Sequence, residues 1–83
     1  MNVLYFAWLR AKVGVGEEIV VAPEAVTTTG ALVEWLKTRS DGHAQAFADL
    51  KLVRVAVNQD YVGWDHPIKP ADEVAFFPPV TGG

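Results

Sequence analysis

The spacing of apolar residues changes along the chain, and each change predicts an element. Residues 3–9 (VLYFAWL) are almost wholly apolar and rich in aromatic and β-branched types, which predicts a strand apolar on both faces. Gly14 and Gly16 interrupt it, so residues 10–16 read as a connection with room for a helical turn. Residues 17–22 resume β-branched character until Pro23 stops them, and the two strands form a hairpin with a long loop. From Thr28 the period becomes helical: Leu32, Trp35 and Leu36 fall at i, i+3 and i+4, Glu34, Lys37 and Arg39 turn away, and Thr27 or Thr28 caps the start. This helix ends near Ser40, where Asp41 and Gly42 break it. Ala44, Phe47, Ala48 and Leu50 predict a shorter helical piece beyond.

The period then becomes two. Leu52, Arg54 and Ala56 alternate with Val53, Val55 and Val57, which predicts a strand over 52–57 with its valines toward a core. Asn58, Gln59 and Asp60 are turn formers, 61–63 is a short extended piece, and a last strand over 73–77 ends at Pro78 and Pro79. The first connection is a hairpin, so an all-parallel doubly wound sheet is excluded. The expected fold is α+β: a mixed sheet with one main helix across one face. The other face meets water, so a strand apolar on both sides predicts that part of the open surface meets a partner.

Composition narrows the function classes. A chain of 83 residues, 51% hydrophobic and 20% charged, is long enough for one domain and too apolar for a disordered segment. With no cysteine there is no disulfide, no thiolate metal site and no thiol nucleophile, so any sulfur chemistry must use sulfur from elsewhere. A net charge of −3 argues against nucleic acid as a partner. No apolar run approaches the roughly 20 residues of a membrane helix, and the N-terminal stretch has no signal-peptide pattern, so a cytoplasmic location without membrane contact is expected.

Few residues have the spacing of a site. His43 and His66 are far apart with no cysteine and no i, i+4 partner, so no metal is expected, and His66 reads as a loop residue. Thr27, Thr28, Thr29 and Ser40 do not combine with histidine and acid in a hydrolase motif, and Gly14 and Gly16 lack the third glycine of a dinucleotide fingerprint. Glu17 with Glu18, and Asp72 with Glu73, are neighbours in extended chain; they point to opposite faces and read as solvated strand ends. No active site is expected inside the globule. The C-terminus differs: Phe76-Phe77-Pro78-Pro79-Val80-Thr81-Gly82-Gly83 carries no charge before the terminal carboxylate. The prolines stiffen the exit from the last strand, and the four residues beyond them reach roughly 13 Å when extended. Gly82 and Gly83 have no side chains, so this end fits a channel too narrow for any other residue and presents a single functional group, a carboxylate.

Residues 57–59 (VNQ), 65–67 (DHP) and 72–83 (DEVAFFPPVTGG), with 3–7 (VLYFA) and Arg10, resemble the small subunit of molybdopterin synthase over the whole chain. The resemblance implies a ubiquitin-like β-grasp domain at 1–79 and a flexible Gly-Gly tail at 80–83. It implies a sulfur carrier of molybdenum cofactor biosynthesis that is not catalytic alone. An E1-like adenylating enzyme uses ATP to activate Gly83, a sulfur donor protein supplies sulfur, and the thiocarboxylate enters the large synthase subunit. There it donates sulfur to cyclic pyranopterin monophosphate to make the dithiolene, in a heterotetramer. No cofactor is expected on this chain itself. Gly83 and Gly82 are then the reactive end, and Phe6, Tyr61, Phe77, Pro78, Pro79, Val80 and Thr81 the partner contacts, with Phe6 and Phe77 partly exposed and Phe76 in the core. The alternatives are a thiazole-pathway sulfur carrier, which the FFPP segment and fuller length disfavour, a ubiquitin-like modifier joined to lysines, and a binding module using only the aromatic face.

Overall fold

The computed structural model describes residues 1–79. Five strands, β1 (Asn2–Tyr5), β2 (Glu17–Ile19), β3 (Arg54–Val57), β4 (Asp60–Val62) and β5 (Glu73–Phe77), form one mixed sheet in the order β2-β1-β5-β3-β4. The central pair β1–β5 is parallel; the other pairs are antiparallel. One face is covered by α1 (Ala7–Val13), α2 (Thr29–Leu36) and α3 (Asp41–Ala46), followed by a single 3-10 turn at Leu50–Leu52. Three short helices share the cover, α2 being the longest at eight residues.

The apolar run at 3–9 is strand only as far as Tyr5. Beyond it the ladder loses its partners: Tyr5 N–H takes the carbonyl of Gly16 on one side, and Phe6 N–H takes that of Phe76 just before the prolines end β5 on the other. The chain turns through Ala7 in the left-handed region, at φ 54°, and winds into α1. Leu9 is fully buried while Trp8 and Arg10 face outward, so the doubly apolar pattern is a strand joined to a helix and not a two-faced strand. Gly14 closes α1 at φ 99°, its N–H on the Arg10 carbonyl.

Thr28 caps α2, its Oγ1 accepting from Ala31 N–H at 3.1 Å. The loop after β4 supplies further partners, as Thr29 N–H and Gly30 N–H bond to the carbonyls of His66 and Trp64, and the buried Thr29 hydroxyl donates to Gly63 O at 2.7 Å. Asp41 and Gly42 begin α3 instead of only ending α2, because Ser40 Oγ caps it. Gly42 is needed there: a Cβ would collide with the Lys12 carbonyl oxygen of α1. The turn at Asn58 and Gln59, both at positive φ, joins β3 to β4 as a two-residue hairpin.

The core lies between sheet and helices. Val3, Tyr5, Val55, Val57, Val74 and Phe76 meet Leu9, Leu32, Val33, Leu36 and Phe47. Val53, Val55 and Val57 are buried as their alternation predicts, although Leu52 belongs to the 3-10 turn and the strand starts at Arg54. No helix among the described residues is long and apolar enough to cross a membrane.

Candidate functional site

Side chains directly opposite one another in a sheet share a face. The register sets Leu4, Ala75, Ala56 and Tyr61 in one row on the uncovered face, with Phe77 and Arg54 opposite each other two positions along. Phe77 is half-buried against Tyr61, ring centroids 5.2 Å apart, and Tyr61 is 78% exposed. Phe6, at the end of β1 next to β5, is 49% exposed. Phe6, Tyr61 and Phe77, from three separate stretches of sequence, thus lie around the end of β5, where Pro78 and Pro79 follow half-buried. Gly82, Gly83, Val80 and Thr81, and the tail boundary at 80, fall outside the described residues.

An open cleft of about 240 Å³, lined by Arg54, Val55, Tyr61, Val62 and Phe77, adjoins the aromatic pair. A second hollow of about 310 Å³, lined by Met1, Val20, Pro23, Ile68 and Pro70 among others, lies toward the end of the sheet where β5 begins. Among the described residues, no group of three or more histidines and acids is arranged to hold a metal ion.

Sequence reasoning missed a polar cluster under β1. Glu18 is no solvated strand end: its Oε2 accepts from Tyr5 Oη at 2.7 Å and lies 2.7 Å from His43 Nε2, while Arg39 is 3.7 Å from Oε1. Ser40 Oγ accepts from the His43 backbone N–H at 3.1 Å and lies 2.7 Å from His43 Nδ1. Both ring nitrogens of His43 thus have an oxygen partner, Ser40 Oγ at Nδ1 and Glu18 Oε2 at Nε2. Burial alone raises the Glu18 carboxyl, but the hydrogen bonds from His43 and Tyr5 and the charges of His43 and Arg39 outweigh it and hold the group below the usual carboxylate range. Burial first, then Glu18, pushes the Tyr5 hydroxyl above the usual phenol range. Serine, histidine and acid meet here through the fold, although no hydrolase motif joins them along the sequence. Ser40 serves as a helix cap, however, and none of the three lines either of the two hollows. The i, i+3 spacing of Ser40 and His43 was visible in the sequence; Glu18, 25 residues from His43, was not.

Asp72 is likewise a structural cap and not a free strand end. It accepts from Asn58 Nδ2 at 3.0 Å and Lys69 N–H at 2.8 Å, and these bonds lower its pKa.

Residues 3–83 match the ThiS family. The chain belongs to that family. Over 83 residues it is 47% identical to the molybdopterin synthase sulfur carrier subunit of Escherichia coli, covering 100% of this chain and 99% of that one. It is 40% identical to the protein of the same name in Haemophilus influenzae, again over 100% and 99%. Among solved structures, a molybdopterin converting factor subunit 1 from Pyrococcus furiosus superposes with a TM-score of 0.78 at 37% identity over 95% of each chain. The crystal structure of SAMP1 from Haloferax volcanii, at 24% identity and a TM-score of 0.74 over 100% of this chain and 98% of that one, shares the fold. Within the family fold, the uncovered aromatic face sits beside the end of the last strand, and the ionisable cluster lies on the other side of the sheet, its His43 buried and its Ser40 exposed.

Proposed function

We propose that this protein is the sulfur carrier of molybdopterin synthase, acting as a non-catalytic small subunit whose reactive group is the carboxylate of Gly83. The observation that supports this most is the 47% identity to a molybdopterin synthase sulfur carrier subunit over the full chain, C-terminal residues included. A free α-carboxylate has a pKa of about 3.5 and resists nucleophiles as an anion, so transfer requires activation. An E1-like partner uses ATP to form the Gly83 acyl-adenylate with release of pyrophosphate. Persulfide sulfur of a donor protein then attacks the acyl carbon and displaces AMP, breaking the acyl C–O bond and forming C–S, and a second thiol cleaves the S–S bond to the donor, leaving the thiocarboxylate and a disulfide. The thiocarboxylate enters the large subunit with Gly82 giving the clearance; its sulfur attacks a carbon of cyclic pyranopterin monophosphate, and water then cleaves the acyl C–S bond, leaving sulfur on the pterin product and returning Gly83 to the carboxylate. The chain supplies no cysteine that could capture the adenylate internally. Phe6, Tyr61 and Phe77, with Pro78 and Pro79, form the docking face, and Val80 and Thr81 complete the contact.

The test uses the full chain and a variant lacking Gly83. With the activating enzyme, ATP and a sulfur source, the full chain gains the mass of one sulfur less one oxygen and supports dithiolene formation by the large subunit. The truncated chain does neither and melts at the same temperature. Full activity without Gly83 refutes the proposal.

A further inference from the structure

The two ends of the open face differ in charge. Where β5 begins, the register positions on this face are Asn2 and Glu73; where it ends, Arg54 stands opposite Phe77. Arg54 is exposed, and its Nη1 donates to the carbonyls of Lys51 at 3.2 Å and Val53 at 3.0 Å. Those bonds hold the guanidinium in place but engage only part of a fork of five donors. No carboxylate of the described residues lies within ion-pairing distance of it. Beside it the cleft of about 240 Å³ has the exposed Tyr61 and Phe77 in its wall. That volume is below the roughly 300–1,000 Å³ of small-molecule sites, and it suits a side chain of a protein partner.

We propose that this cleft reads an acidic residue of the large synthase subunit: an apolar side chain of that subunit enters the cleft and packs against the Tyr61–Phe77 ring pair, and an adjacent Asp or Glu pairs with Arg54. The inference rests on the docking face assigned above and adds the chemistry of its occupant. A planar guanidinium already oriented by two carbonyls matches a carboxylate bidentately, which lysine or an amide cannot do. The chain carries a net charge of −3, so its overall field repels an acidic partner and the attraction is confined to this contact. Continuity with the aromatic pair places the ion pair next to apolar surface, where water screens it less.

The test titrates the large subunit with the wild-type chain and with Arg54→Gln, Arg54→Glu and Phe77→Ala, each checked by thermal melting. Arg54→Gln weakens binding roughly ten-fold and Arg54→Glu weakens it further. The gap between wild type and Arg54→Gln narrows as salt rises. Should Arg54→Glu fail to fold, the Arg54→Gln comparison and its salt dependence decide alone. Wild-type affinity in the Arg54 variants alongside weakened binding by Phe77→Ala overturns this inference and leaves the docking face standing. Unchanged binding by Phe77→Ala as well removes the docking face, and the inference with it.

Discussion

Phe76 and Phe77 are adjacent and chemically identical, yet the sheet sends them to opposite environments. Phe76 is fully buried, 4.8 Å edge-on to Phe47, stacked 6.1 Å from Tyr5 and 6.5 Å from Trp64. Phe77 meets Tyr61 on the open face beside Arg54, which no carboxylate of the described residues pairs. The covered face spends its aromatic rings on a closed core, and even its polar groups are satisfied: no buried side-chain nitrogen or oxygen among the described residues lacks a partner. The open face keeps aromatic surface in water, which folding alone does not require. One side of the sheet holds the domain together while the other remains available.

The contrast is broken most forcefully by Phe76→Ala. Loss of a buried ring costs about 3–5 kcal/mol of stability, read in denaturant melts, which for a small domain is a large share of the total. A cost below that of Phe77→Ala would show that the two faces are exchanged.

Glu18→Gln tests the polar part of the covered face and costs about 1–3 kcal/mol near neutral pH, because Tyr5 and His43 lose a charged acceptor. The folded pKa of Glu18 lies below its unfolded value, so its contribution is complete above the ordinary glutamate range and is lost as pH falls through the folded value. Melts across that acid window are shallower in Glu18→Gln than in wild type. The lowered Asp72 carboxyl leaves a residual slope of the same sign. An unchanged acid profile would remove Glu18 from the account.

The open face is tested by Phe77→Ala, which weakens association with the large subunit by about 1–3 kcal/mol and costs less than this in stability. Calorimetric titration and thermal melting of the same protein separate the two effects. Equal losses in both would make Phe77 a core residue rather than a docking one.

Much of this was legible in the chain. The alternating valines at 53, 55 and 57 announce a half-buried strand because a period of two has no other stable use. Leu32, Trp35 and Leu36 announce a helix for the same kind of reason, and Pro78 and Pro79 end the last strand where they stand because proline has no donor to give. The uncharged Gly-Gly pair at 82 and 83 was likewise read from residue types alone and lies outside the described residues. Tertiary structure alone decided three things. The run at 3–9 changes from strand to helix at Ala7, because strand continues only while neighbouring strands offer hydrogen bonds, and those neighbours come from residues 16 and 76. Parity divides Phe76 from Phe77 but does not say which side carries the helices; packing of α1, α2 and α3 does. The Tyr5–Glu18–His43–Ser40 cluster and the cleft at Arg54, Tyr61 and Phe77 each join separate segments. Their chemistry depends on distances of a few ångströms that linear spacing does not encode.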